Sequence, residues 1–296
     1  MKMIEGGVTA AQGFVAGGIH CGIRKNKSKP DLAMIYSRTP CAAAAVYTQN
    51  LVKGAPILVT KKNIENGFAK AVICNSGNAN TCNADGVEKA QAMCQLTAQA
   101  LGIDPQDVVV ASTGVIGQTL PLEPIEAGIP GLVKVLSPKG STGAATAIMT
   151  TDTIAKEAAA EVEIGGKSVH MGGISKGSGM IHPNMATMLC FVTTDCAITP
   201  AMLDKAIHQV ADKTFNMISV DGDTSTNDTF AILANGAAGN QEITAEGADY
   251  DIFVQALEAV CRKLSKLMAG DGEGATKLLV CKVDGAAHLP MAKTAA

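Results

Sequence analysis

The chain has 296 residues, 47% of them apolar and 17% charged, with a formal net charge of −3. That is enough for one large or two modest domains with a sizeable core, and it excludes a disordered protein. The charge balance argues against nucleic acid as the main partner, no apolar stretch reaches the ~20 residues of a membrane span, and the N-terminus lacks a signal-peptide pattern.

In chain order, short apolar runs punctuated by glycine and proline alternate with longer segments of helical period. Arg24–Lys29 is basic but short and reads as a solvated loop. Leu32–Tyr36, Ala43–Tyr47, Ala71–Cys74 and Val108–Ala111 read as strands, several so continuously apolar that both faces should be covered. Gly86–Leu101 reads as a helix with Val87, Ala90, Cys94, Leu96 and Ala98 available to its buried side. Leu189–Thr193 reads as a further buried strand. Thr199-Pro200, an N-cap followed by proline in the first turn, opens a helix running to about Lys213. Asp251–Met268 has helical spacing of its apolar residues. Such a mixture suggests sheets covered by helices.

The nine cysteines include no CxxC pair. They sit in apolar runs (Cys74, Cys190, Cys281) or helix-like segments (Cys94, Cys261), so buried reduced thiols in a reducing cytoplasm are expected. The five histidines have no metal-ligand spacing, and no metal is expected. Asp221–Asp228 imitates a calcium loop, but Thr226 replaces the required glycine and Ile232 the closing glutamate. It reads instead as a buried polar network near the active site. Gly172–Gly179 is glycine-rich without being a Walker A sequence.

The segment from Lys176 to Leu189 (Lys-Gly-Ser-Gly-Met-Ile-His-Pro-Asn-Met-Ala-Thr-Met-Leu) carries the chemistry. Thr187 follows the small Ala186 and precedes the apolar run from Met188. An internal threonine is a poor nucleophile. Cutting the bond before it frees an α-amine, of pKa roughly 7.7–8.0, that can serve as its general base. Residues alone leave a plainer alternative open, a Gly/Pro loop entering a strand.

Six further motifs run along the chain: Gly7-Val-Thr-Ala10 with Gly13-Phe14, Cys74–Asn80, Ala111–Gly117, Met149–Thr153, Ser219–Asp228 and Gly272–Lys277. With the Lys176–Leu189 segment and in this order, they resemble the glutamate N-acetyltransferase/ornithine acetyltransferase family of arginine biosynthesis. The resemblance implies a layered α/β/β/α sandwich of the ornithine acetyltransferase/DmpA-like type, with self-processing like that of N-terminal-nucleophile enzymes. Residues 1–186 would be an α chain and 187–296 a β chain, cut between Ala186 and Thr187. Thr187 would be the nucleophile that carries acetyl from N-acetylornithine to glutamate through an acetyl-threonine.

The resemblance also assigns Thr113 and Gly114 to the oxyanion hole, a donor there being worth about 2.7–4 kcal/mol. It assigns Thr153, Lys176, Thr187 and Glu273 to substrate binding. On the residues alone, Thr113-Gly114 would pass as a turn after a strand, Lys176 as a solvated loop lysine and Glu273 as part of a polar turn. No cofactor is implied, and acetyl-CoA is open as a second donor substrate. The α and β pieces would associate, as α2β2 or a larger assembly, in the cytoplasm.

Family members continue past the position of Ala296 through a segment with an Asp-Asn-Trp-Gly-Arg-like motif, and this chain has no tryptophan. A fragment or shortened variant is therefore expected, its final residues opening a helix. Two rival readings are a related N-terminal-threonine hydrolase or aminopeptidase, in which water resolves the acyl-enzyme, and an inactive remnant.

Overall fold

Alternate residues of the central strands belong to different apolar cores, and that alternation gives the layering. The computed structural model describes residues 1–182 and 188–296. Its strands are β1 (Lys2–Ile4), β2 (Phe14–Ile19), β3 (Leu32–Tyr47), β4 (Phe68–Asn78), β5 (Val108–Val115), β6 (Lys156–Ile164), β7 (Lys167–Lys176), β8 (Leu189–Thr194) and β9 (Thr229–Ala234). Its helices are α1 (Ala55–Asn63), α2 (Gly86–Leu101), α3 (Glu123–Val135), α4 (Ser141–Ile148), α5 (Pro200–Lys213), α6 (Ala248–Gly270) and α7 (Leu289–Ala295).

All nine strands are hydrogen-bonded into one sheet, in the order β1-β6-β7-β8-β9-β3-β4-β5, with β2 added on β3. The two expected layers are thus two limbs of one continuous sheet. β3 joins them. Leu32–Ser37 pairs with β2 and β4, while Ala42–Tyr47 pairs with β9, and the register against β4 shifts between Tyr36 and Cys41. Leu32–Tyr36 and Ala43–Tyr47, expected as separate strands, are the two halves of this one strand. Pro40 and the exposed Arg38-Thr39 mark the irregularity, since proline cannot donate to the ladder.

Each limb buries both faces. On β4 and β5, Ala71, Ile73, Val108 and Val110 join a core with α2 and α3, while Val72, Cys74, Val109 and Ala111 point into a second core. On β8 and β9, Leu189, Phe191, Ala231 and Leu233 enter that same second core, while Cys190, Val192, Phe230 and Ile232 join a third core with α5 and α6. Three cores between four layers are the α/β/β/α sandwich.

The helices read from the sequence follow their signals closely, and α1, α3 and α4 are added to them. Thr199 caps α5 by accepting from the Met202 amide at 3.5 Å, with Pro200 in the first turn. α2 buries Ala90, Met93, Cys94 and Ala98, whereas Val87, in its first turn, is exposed. Cys281 departs from expectation as well. It is exposed because residues 271–288 cross the surface without joining a strand, and Cys82, in the loop before α2, is exposed as well. The remaining seven cysteines are buried or half-buried free thiols.

Candidate active site

The ends of β4, β5 and β7 open onto a cavity of about 800 Å³. Three of the expected residues meet there at once: Thr113, Gly114 and Lys176, with Glu273 completing the wall. The nucleophile expected at Thr187 and the cleavage bond Ala186–Thr187 lie outside the described residues. The flanking positions are fixed, however. Lys176, the last residue of β7, pairs in register with Leu189, the first of β8. The Met188 amide, directly after Thr187 in the chain, donates to Asp228 Oδ1 at 2.8 Å.

Lys176 is not the solvated loop residue its sequence suggested. It is a strand residue 3% exposed, and its ammonium donates to Thr113 Oγ1 at 3.2 Å. Burial lowers its pKa, against the opposing pull of Asp152 and Asp228. Asp228, wholly buried beside it, is pushed well up by the same loss of water. Cys74 is the nearest thiol on β4, and burial raises it to about 12, so it is no rival nucleophile.

Thr113 and Gly114 lie within β5, which runs on to Val115 instead of ending at Ala111. The register against β4 breaks at Gly77 and Asn78. Gly114 has φ +131°, and a Cβ there would come within 2.4 Å of the Gly77 carbonyl carbon, so only glycine fits. This break turns the strand end toward the cavity. Asn227 fastens it: its amide donates to the Ala79 carbonyl at 2.6 Å and the Ser112 carbonyl at 2.9 Å, and it accepts from Thr81 Oγ1 at 2.5 Å. The polar network expected over Asp221–Asp228 is therefore present from Ser225 to Asp228, while residues 221–224 are exposed.

Glu273 reaches the cavity because its own amide donates to the Ser178 carbonyl at 2.7 Å. Its carboxylate lies against Gly179, where a Cβ would meet Oε1 at 2.8 Å. Thr153 is not among the lining residues. Its amide donates to Asp271 at 3.0 Å and its hydroxyl to the same carboxylate, while Thr150 and Thr151 line the wall instead.

Sequence reasoning missed Arg24, read there as part of a solvated loop. It is half-buried and lines the cavity with Lys25 and Lys29, and its guanidinium donates to the Met149 carbonyl. A basic loop with no apolar residue from Arg24 to Lys29 gives no local signal that it folds inward. It also missed Lys156, which is fully buried and ion-paired at 2.6 Å to both Asp152 and Asp271. Another concavity, of about 650 Å³, lies between Met1, Met3 and α6, but it is walled by aliphatic stems and the Glu258–Arg262 ion pair and gathers no nucleophile.

Among the described residues, no group of three or more His, Cys, Asp or Glu could hold a metal ion, and no helix is long and apolar enough to cross a membrane.

The chain is similar in sequence and fold to known proteins. The ornithine acetyltransferase of Mycobacterium tuberculosis, solved with ornithine, matches over 62% of this chain and 97% of its own, at 33% identity and TM-score 0.54. The arginine biosynthesis bifunctional protein ArgJ of Bacillus halodurans matches over the same shares at 42% identity and TM-score 0.59. An L-aminopeptidase D-Ala-esterase/amidase of Ochrobactrum anthropi, 13% identical, shares the fold over 89% of this chain and 87% of its own at TM-score 0.52. In sequence, the arginine biosynthesis bifunctional protein ArgJ of Symbiobacterium thermophilum is 54% identical over all of this chain and 74% of its own length, and that of Bacillus subtilis 50% identical over 96% and 69%. The ArgJ family model matches residues 15–296, the span that holds every cavity residue described above, and the chain belongs to that family.

Proposed function

We propose that the cavity is the active site of an acetyltransferase of arginine biosynthesis, moving acetyl from N-acetylornithine to glutamate. The observation that carries the reading is the buried Lys176 ammonium on Thr113 Oγ1, with Lys176 paired in register with Leu189, the strand start two residues after Thr187. Thr187, freed by cleavage after Ala186, is the nucleophile, and its α-amine is the general base. Its hydroxyl attacks the acetyl carbonyl, ornithine leaves, and the glutamate amine then takes the acetyl group. Thr113 Oγ1 and the Gly114 amide stabilise the oxyanion in both halves. Lys176 lies close enough to Thr113 to hold a substrate carboxylate near the reacting carbonyl. Glu273 suits the substrate's ammonium group, while Thr153 is engaged by Asp271 away from the cavity lining.

Cleavage into residues 1–186 and 187–296 is supported by coverage: the two solved relatives match 62% of this chain and nearly all of their own, close to the 186 of 296 residues before Thr187. The two pieces stay associated, because the central core takes Ile35, Val72 and Val109 from one and Phe191 and Leu233 from the other. We place the enzyme in the cytoplasm, as an α2β2 or larger assembly, with no cofactor and with acetyl-CoA as a candidate second donor.

The test is the intact mass of purified protein, wild type beside Thr187→Ala, followed by acetyl transfer from N-acetylornithine to glutamate. Two wild-type fragments meeting at Ala186–Thr187, an uncut variant and glutamate-dependent ornithine release are expected. A single uncut and inactive wild-type chain overturns the reading.

A further inference from the structure

The cavity wall carries charged groups of both signs. The carboxylates of Asp221 and Glu273 belong to the wall around Met180: Asp221 Oδ1 accepts the Ile181 amide at 2.9 Å, and Glu273 lies against Gly179. Arg24, Lys25 and Lys29 line the same cavity, with Arg24 beside Gly77. Arg24 is packed so tightly over Gly77 that a Cβ there would come within 2.9 Å of its Cγ.

Its guanidinium is only partly used. One Nη donates to the Met149 carbonyl, and the buried Nε has no acceptor among the described residues. Asp31 accepts the amides of Cys21, Gly22 and Arg24 at 2.6, 3.3 and 2.8 Å and, like Asp152, acts on the guanidinium only at a distance. Among the described residues Arg24 has no ion-pair partner. A half-buried cation with only distant counter-charges is incompletely compensated, and one facing a cavity is satisfied by an anion that enters it.

Acetyl exchange requires such an anion. The leaving ornithine and the arriving glutamate differ at the end of the side chain, ammonium in one and carboxylate in the other. The carboxylates of Asp221 and Glu273 suit the ammonium, and Lys176 accounts for only one carboxylate. We propose that Arg24, supported by Lys25 and Lys29, binds the side-chain carboxylate of the acceptor and selects glutamate over neutral and cationic amino acids. A guanidinium fork matches a carboxylate in two parallel hydrogen bonds, which an ammonium cannot do. The inference rests on the acetyl-transfer reading for the identity of the acceptor.

The experiment is calorimetric titration of the protein with L-glutamate and, separately, L-glutamine, for wild type, Arg24→Gln and Arg24→Lys. Loss of a hydrogen-bonded charge weakens glutamate binding by about tenfold or more in Arg24→Gln, with glutamine affinity shifted by less than about threefold. Arg24→Lys, which keeps the charge without the fork, falls between, and it decides alone if Arg24→Gln does not fold. Unchanged glutamate affinity, an equal loss for both ligands, or no glutamate binding by wild type overturns the proposal. Exchange of labelled ornithine into N-acetylornithine, which needs no glutamate, separates the underlying reading. Wild type that binds glutamate through Arg24 but exchanges no label discards the transferase and leaves the carboxylate site. Exchange without any effect of Arg24 on glutamate binding does the reverse.

Discussion

Two buried lysines at the same end of the sheet have opposite environments. Lys156 begins β6 and Lys176 ends β7, and Lys156 pairs in register with Ser175, the neighbour of Lys176. Their exposures are 0% and 3%. Lys156 is held at 2.6 Å by Asp152 and by Asp271, and those carboxylates in turn accept the Gly177 and Thr153 amides. One ammonium thus ties together the 150–156 loop, the exit of β7 and the end of α6. Lys176 has no ion pair among the described residues and touches only a hydroxyl. A buried charge with full partners fixes structure, and a buried charge without them is held ready for a ligand.

The largest expected effect breaks the paired lysine. Lys156→Met leaves Asp152 and Asp271 facing each other without their cation, and breaking a buried pair from one side costs about 3–5 kcal/mol. Denaturant unfolding in an uncut Thr187→Ala background measures it without the complication of two pieces. Wild-type stability in the variant would mean that the network is ornamental.

Lys176→Met is the complementary change. It removes a buried cation lacking an ion pair among the described residues, so stability is expected to hold or rise, while acetyl transfer falls by about 10–10², the range for loss of a hydrogen-bonded charge that holds substrate. Steady-state kinetics and a melting curve on one sample decide it. A variant that loses stability and activity together would make Lys176 a second Lys156. Gly114→Ala comes next: its Cβ would strike the Gly77 backbone at φ +131°. A strained backbone position of this kind costs about 1–3 kcal/mol, and a crystal structure of the variant should show the Gly77–Asn78 break displaced.

The contrast between the lysines also explains what could be read in the sequence. Strands and helices with periodic apolar faces, such as β5, β8, α2 and α6, announce themselves locally, because burial imposes their pattern. The Thr113-Gly114 pair was legible through its motif, and the structure gives the reason for the glycine. Lys156 was silent. Its partner Asp271 lies 115 residues away, and no local pattern records a long-range ion pair. Arg24 was hidden for the same reason: its place depends on Gly77 and Met149, both distant in the chain. The continuity of the sheet was missed because Pro40 interrupts β3 and mimics a boundary between two strands.

The smallest effect is a pH dependence that only the unpaired lysine should show. Lys176 is held below the ordinary lysine value of 10.5 by burial, with Asp152, Asp228 and Cys74 pulling upward and Lys156 adding to the lowering. Between the lowered folded value and 10.5, the unfolded chain binds a proton that the native chain does not, so stability rises with pH across that window. Below the folded value the penalty for the buried ammonium is present in full. Methionine at position 176 has no such titration. It also leaves Asp228, already pushed up by burial, without a nearby cation, which makes the variant lose ground as pH rises. Both contributions have the same sign. The melting temperature of wild type relative to Lys176→Met should therefore climb as pH is raised from neutrality toward 10.5, and a gap that stays constant, or moves the other way, would show that Lys176 carries an ordinary lysine pKa despite its burial.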